Sequence, residues 1–273
     1  MESKFSVSVE KIQDKSDKLI FRISGNDKYG LDKSIVNAIR RTLISSIPSI
    51  AFRIDDNTER DIVVRSNNTS IHNEYLIHRI ALIPLYIDPT NYHKDYLFRL
   101  NISHTSELPY EFVTAKDIDV YELNEDLKHK VSNYETLSEF EIDDLEKRLK
   151  QPLLENYNMD VPLSENSKEK IFRPFNFRGK KNYPLITELK NINSTNLIEN
   201  IDLYGCPSLS FAKENSRWQA VSNATYIFEH DPVYFESVIK EKIQTQNIPI
   251  EKQDVFAKHL AIEEGERYFL RDS

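Results

Sequence analysis

Leu31-Asp32-Lys33-Ser34-Ile35-Val36-Asn37-Ala38-Ile39-Arg40-Arg41-Thr42-Leu43-Ile44-Ser45-Ser46-Ile47-Pro48 is where the pattern of the chain changes period. Leu31, Ile35, Ala38, Ile39, Leu43 and Ile47 recur at three- and four-residue steps, the signature of a helix with one broad apolar face. Asp32 or Ser34 can cap its start, and Pro48 stops it. Arg40 and Arg41 sit near the middle and project about 100° apart, so one can flank the apolar seam while the other points outward. An ordinary amphipathic helix with two solvated arginines satisfies this pattern. So does a helix that packs on its own sheet and offers a ridge to a partner protein, where the planar guanidinium fork bonds carboxylates and carbonyls.

Before this helix, residues 3–12 alternate at Phe5, Val7 and Val9, residues 18–24 repeat the alternation, and the intervening QDKSD supplies a turn, which predicts a hairpin. Behind it, strands are expected at 50–54, 61–67, 96–102 and 110–121, with a helix from Asn73 to Ile80 that carries Glu74 near its positive end and Arg79 near its negative end. Residues 122–170 are polar and acidic, with one short helix expected at 139–150 and a loop-rich course bracketed by Pro152 and Pro162. Strand propensity is strong at 218–232. Phe235, Val238, Ile239 and Ile243 then share a helical face over 233–246, and 251–262 is helical in pattern. The reading is α+β, with no internal repeat.

Composition narrows the function. At 273 residues the chain is one large domain or two small ones, and 39 % hydrophobic with 11 % aromatic residues argues for packed cores. Five glycines exclude glycine-rich phosphate cradles, and a net charge of −8 disfavours a free-standing nucleic-acid binder. Cys206 is the single cysteine, so no intrachain disulfide and no cysteine-based metal site can form. No apolar run is long enough to span a membrane, and the N-terminus lacks a secretory core. These features describe a soluble intracellular protein.

Candidate chemistry is sparse. His72-Asn73-Glu74 is formally the H-x-E of zinc deaminases but lacks the paired cysteines, and His72 and His78 are six apart rather than four. A metal-dependent hydrolase using His72, Glu74 and His78 is the alternative this leaves; Glu74 and His78 at four-residue spacing read otherwise as a surface pair. Cys206 precedes Pro207 with no histidine nearby and reads as a small buried hydrophobe. Asp55-Asp56 and Asp143-Asp144 point apart and read as solvated charges. The run His78-Arg79-Ile80-Ala81-Leu82-Ile83-Pro84-Leu85 places large hydrophobes where a loop should be, either as a core-filling connection or as a docking site.

Three blocks together resemble the α-like assembly subunit of multisubunit DNA-directed RNA polymerases, in the form found in archaea and as the third-largest subunit of eukaryotic enzymes. Ser34-Ile35-Val36-Asn37-Ala38-Ile39-Arg40-Arg41 with Ile47-Pro48-Ser49-Ile50-Ala51 is similar to an N-x-x-R-R helix followed by a V/I-P-T-x-A turn. Asn67-Asn68-Thr69-Ser70 with the run from His72 to Leu85 resembles N-T-S-x-x-x-D-E-F-x-x-H-R-L-G-L-I-P-L. Lys213-Glu214-Asn215-Ser216-Arg217-Trp218-Gln219-Ala220-Val221, followed by Phe228-Glu229-His230-Asp231-Pro232, resembles K-E-H-A-K-W-x-P-V and F-x-Y-D-P.

The resemblance implies two intertwined domains: a mixed α/β dimerisation domain from 1–54 and 208–273, interrupted by a mainly β insert over 55–207 that includes the 122–170 excursion. It implies no catalysis and no cofactor or metal in this chain. The implied partners are a smaller α-like subunit, separate or fused, the second-largest catalytic subunit and the small assembly subunits, with DNA met only through the complex and no membrane. The implied partner interface draws on Ile35, Asn37, Ile39, Arg40, Arg41 and Leu43, on His78, Arg79, Leu82, Ile83 and Pro84, and on Lys213, Glu214, Arg217 and Trp218. Three departures stand out. The insert lacks the cysteines many relatives carry, so its apolar core must hold it. Ala81 and Asn215 replace the usual glycine and histidine. Arg267–Ser273 falls where a closing strand and a long helix are expected, which implies a longer, fused protein or a partner that supplies those elements. Abundant Asn, Ile and Lys, with the acidic excursion, point toward the polymerase of a large DNA virus, working in host cytoplasm or virion; a cellular relative works in the nucleus.

Overall fold

The change of period at residue 31 is realised in the computed structural model, which describes residues 5–13, 18–25, 32–54, 61–90, 92–105, 108–150, 153–192, 197–227 and 232–264. β1 (Phe5–Gln13) and β2 (Lys18–Gly25) pair antiparallel with Val7 opposite Ile23 and a bulge between Val9 and Lys11. α1 (Lys33–Ser45) follows, and Asp32 is the residue that caps it: its carbonyl accepts the Ile35 amide at 3.0 Å and its carboxylate accepts the Ser34 amide at 3.3 Å and the Ser34 hydroxyl. Those Ser34 bonds hold the Asp32 carboxyl below its ordinary range. β3 (Pro48–Ala51) starts two residues earlier than the expected 50–54, because proline can open a strand where no amide is needed. β4 (Ile62–Asn67), α2 (Asn73–Ala81) and β5 (Tyr96–Ser103) come next.

The expected strand at 110–121 is two strands, β6 (Tyr110–Thr114) and β7 (Asp119–Glu122), separated by a 3-10 turn over Ala115–Asp117. Asp117 closes that turn by accepting the Thr114 amide at 2.7 Å and hydroxyl at 3.0 Å. The break lets the chain change sheets, since β6 and β7 belong to different ones. The 122–170 excursion is more helical than expected: it carries α3 (Glu125–Ser132), α4 (Glu139–Lys150) and α5 (Glu165–Ile171). β8 (Phe175–Phe177), β9 (Lys180–Asn182), β10 (Leu185–Ile192), β11 (Leu197–Ile198), β12 (Asn200–Gly205) and β13 (Ser208–Phe211) complete the strands. The strand expected over 218–232 is absent from its described residues: Ser216–Trp218 is a 3-10 turn and 219–227 is irregular. α6 (Pro232–Thr245) and α7 (Ile250–Glu264) end the described chain. Turn residues 14–17, Asp55-Asp56, Pro152, residues 228–231 and the stretch 267–273 lie outside the described residues. The class is α+β, and no helix among the described residues is long and apolar enough to cross a membrane.

The chain divides into two compact units, residues 1–43 with 223–273 and residues 44–222. The larger unit is built on an antiparallel sheet in the order β4-β12-β5-β7. Its central strand β5 is buried on both faces, as period-two geometry requires of a sheet covered on both sides. Phe98 and Leu100 enter one core with Phe52, Leu76, Ile80 and Ile186. Leu97 enters a second core with Tyr121, Leu127 of α3, Leu145 of α4, Tyr157 and Cys206. The acidic excursion therefore supplies the cover for the second face through Leu127, Leu145 and Leu149. Each fully buried large side chain contributes about 1.5–3 kcal/mol.

The smaller unit differs. Among its described side chains only Leu260 is buried. Val7, Val9, Phe21 and Ile23 share one face of the β1–β2 ribbon by register, yet Val7 is 65 % exposed.

Candidate interaction surface

α1 keeps its apolar side chains at the surface. None of its residues is buried: Ile35 is 40 % exposed, and Asn37, Ile39, Arg40 and Leu43 are half-buried, while Arg41 is exposed. Asn37 and Arg40 are one turn apart, and the Arg40 Nε donates to Asn37 Oδ1 at 3.0 Å, which pins the guanidinium along the helix.

The second block forms a shoulder on the larger unit. Asn67 organises its approach, accepting the Thr69 amide at 3.0 Å and hydroxyl at 2.7 Å, and donating to the Ile71 carbonyl at 2.9 Å and to Asn73 Oδ1 at 2.7 Å. His72 caps α2 through Nδ1, which accepts the Glu74 amide at 3.4 Å. That capping role explains the H-x-E spacing, and no group of three or more metal-ligating side chains occurs among the described residues. Past the helix, Ile80, Ala81 and Ile83 turn into the core, while His78, Arg79, Pro84 and Leu82 stay exposed, Leu82 at 70 %. Arg79 donates to the Leu185 carbonyl at 3.2 Å. The run 78–85 thus fills the core with alternate side chains and shows the others.

The first and third blocks, more than 160 residues apart, meet inside the larger unit. β3 pairs with β13, Ile50 opposite Leu209. Trp218 is fully buried; its indole donates to the Ser208 carbonyl at 3.0 Å, and its carbonyl accepts the Ser49 hydroxyl at 2.6 Å. The Arg53 and Arg217 guanidinia each lie 5.5 Å from the Trp218 ring. Arg53 also grips Glu214 with two bonds at 2.9 and 3.1 Å, which holds the Glu214 carboxyl below its ordinary value, and Ser210 donates to the same carboxylate. Arg217 donates to the Phe52 carbonyl at 3.1 Å. Glu214, Arg217 and Trp218 are therefore engaged within the chain, Lys213 is exposed, and Ile83 is interior.

Beside this knot lies a second one that the sequence did not single out. Asp61 is buried where the chain passes between β3 and β4: its carboxylate accepts the Arg53 amide at 2.7 Å and the Ser208 hydroxyl at 2.8 Å, with the Lys94 ammonium 3.6 Å away. Burial nonetheless pushes the Asp61 carboxyl up. The Asp61 carbonyl accepts the Cys206 amide at 3.0 Å, and a Cβ on Gly205 would fall 2.4 Å from that oxygen, so only glycine fits there. The Cys206 thiol, pushed up to about 12 by burial, donates to the Tyr157 hydroxyl at 3.1 Å, which donates to the Lys94 carbonyl at 2.8 Å. Cys206 is thus the buried small hydrophobe its context implied. A lone buried aspartate and a glycine give no local signal; only the fold reveals them.

No protein-family model matches the chain. Among curated proteins, it is 45 % identical over 64 residues to subunit RPAC1 of DNA-directed RNA polymerases I and III from Saccharomyces cerevisiae, a match covering 23 % of this chain and 17 % of that one. The Dictyostelium discoideum counterpart is 30 % identical over 113 residues, covering 41 % and 26 %. Subunit rpb3 of DNA-directed RNA polymerase II from Dictyostelium discoideum is 29 % identical over 124 residues, covering 40 % and 37 %. The matched segments thus span 17 % to 37 % of these relatives. Over those segments, the chain is similar to the RPAC1 and rpb3 subunits of DNA-directed RNA polymerases.

Proposed function

We propose that this chain is a non-catalytic platform subunit of a DNA-directed RNA polymerase, with catalysis carried by other subunits of the complex. The observation behind this reading is the conjunction of local homology with a smaller unit whose apolar faces stand uncovered. Apolar surface of that kind is stabilised by a partner that removes it from water. In this reading residues 1–54 and 208–273 act as a dimerisation domain around an insert at 55–207. A smaller α-like subunit, separate or fused, covers the face of α1 that carries Ile35, Ile39 and Leu43. The second-largest subunit and small assembly subunits dock against Arg40 and Arg41 and against the shoulder of His78, Arg79, Leu82 and Pro84. Glu214, Arg217, Trp218 and Ile83 support that surface from within. The chain works where its polymerase works, in cytoplasm or virion for a viral enzyme and in the nucleus for a cellular one.

Affinity purification of the tagged chain from its source tests this: the two large polymerase subunits are expected in stoichiometric amount, with a smaller α-like protein unless it is fused, and absence of the large subunits overturns the proposal. Arg40→Glu combined with Arg41→Glu is expected to abolish that recovery while the larger unit keeps its melting transition.

A further inference from the structure

The β8–β9 ribbon stands apart electrostatically from the chain that carries it. Between Glu169 and Glu188 there is no acidic residue, but Lys170, Arg173, Arg178, Lys180 and Lys181 fall there, interleaved with Phe172, Phe175, Phe177 and Tyr183, in a chain of net charge −8. Register assigns these residues to faces: Phe175 pairs with Asn182 and Phe177 with Lys180, so both phenylalanines and Lys180 share one face, while Asn176 and Lys181 share the other.

The second face is tied down. Lys181 bonds Glu169 at 2.8 Å, and the Tyr183 hydroxyl donates to the same carboxylate at 3.1 Å. At the base, the Arg173 guanidinium stacks 4.2 Å over the Tyr86 ring. The first face is bare: Phe175 is 56 % and Phe177 is 60 % exposed. Arg178 and Gly179 make the two-residue turn with φ of 50° and 76°, both left-handed, the geometry that hairpin turns usually give to asparagine and glycine. An arginine held there carries its guanidinium 5.2 Å over the Phe177 ring, at the tip of the ribbon. Among the described residues, no carboxylate within 4 Å pairs with Lys170, Arg173, Arg178 or Lys180.

We propose that this face binds single-stranded nucleic acid, with successive bases stacked on Phe175 and Phe177 and the backbone phosphates on Arg178, Lys180 and Arg173. Two rings at i and i+2 of a strand lie about 6.7 Å apart, twice the rise of about 3.4 Å between stacked bases. A splayed strand therefore fits one base to each ring, and the arrangement is sequence-tolerant because every base has a π face. Phosphates supply the charge the ribbon lacks. The acidic remainder of the chain repels a polyanion at longer range, so the contact is local and strongly salt-dependent.

Fluorescence anisotropy of the full chain with a labelled oligo(dT) of about twelve nucleotides tests the assignment, with oligo(U) as a parallel arm to separate DNA from RNA. Phe175→Ala with Phe177→Ala is expected to weaken binding at least about tenfold. Arg178→Ala with Lys180→Ala should flatten the slope of log K against log salt by about 1.4. All four side chains are exposed, so the variants should melt like the parent. Absence of binding at low salt, or binding indifferent to loss of both rings, overturns the proposal. Tighter binding of poly-L-glutamate than of either oligonucleotide, charge for charge, also overturns it and makes the ribbon a site for an acidic polypeptide.

Discussion

The two compact units treat similar apolar sequence in opposite ways. In the larger unit, alternation along β5 feeds two cores, and Leu97, Leu100 and Ile186 are removed from water completely. In the smaller unit, an equally regular alternation along β1 leaves Val7 and Val9 exposed, and no residue of α1 is fully buried. Periodicity specifies that a face exists, and topology decides whether the chain itself covers it. A unit that holds its own core can stand as a scaffold, and in the proposed function the unit with open faces is the one a partner covers.

Substitutions can break that contrast. Trp218→Ala should have the largest effect, about 3–5 kcal/mol in urea unfolding, because it empties a fully buried site and frees the Ser208 carbonyl. Gly205→Ala should follow at about 1–3 kcal/mol, since the clash is with the Asp61 backbone and not with a side chain that can swing away.

Asp61 sharpens the comparison through pH. Its carboxyl is raised in the fold above 3.8, so the folded chain binds that proton more tightly than the unfolded chain does. Its contribution to stability is therefore fully present below the unfolded value and is lost as pH rises through the folded one. The stability difference between the parent and Asp61→Asn should be larger near pH 4.5 than near neutrality; the reverse slope would mean that its hydrogen bonds outweigh its burial.

Ile35→Ala should cost the isolated chain no more than about 0.5 kcal/mol while weakening recovery of partners. A loss comparable with that of Trp218→Ala would show that α1 is covered from within and would remove the contrast. Lys147→Ala, which breaks an exposed i,i+4 pair with Asp143 at 2.6 Å, should leave the urea midpoint essentially unmoved, the smallest effect of the set.

What could be read in advance followed the range of each signal. α1, α2 and the β1–β2 ribbon rest on periods contained within one element, and Asp32 and Pro48 mark the ends of α1 locally. The polar α3 was missed, although Asn124, the acidic Glu125 and Asp126 and the basic His129 and Lys130 bracket it, because Leu127 alone is buried and gives no period. The capping pair Thr114 and Asp117 was legible but lay inside a run of strand formers, so the sheet switch at Ala115 was hidden. Residues 219–227 have strand composition but an irregular course, which propensity alone cannot reveal. The candidate site divides likewise. The outward Arg41 and the half-buried Arg40 match the spacing of α1, and the 78–85 run, open in the sequence between core filling and docking, divides between the two; the engagement of Glu214 and Trp218 depends on Arg53, Ser49 and Ser208, and the contacts of Arg53 and Ser49 span more than 160 residues.

The bond between Ser49 and the Trp218 carbonyl, with that between the Lys213 amide and the Ser45 carbonyl, has a consequence for the order of folding. The smaller unit is made of two segments separated by the roughly 180 residues from 44 to 222. Closing a flexible loop of that length is entropically costly, and the cost grows with the logarithm of the loop. Once the larger unit has folded, these two bonds hold the ends of the intervening chain together, so the loop left to close is on the order of a dozen residues, and the penalty falls by about 2 kcal/mol. The larger unit thus acts as a clasp that shortens the connection between the two segments of the smaller one.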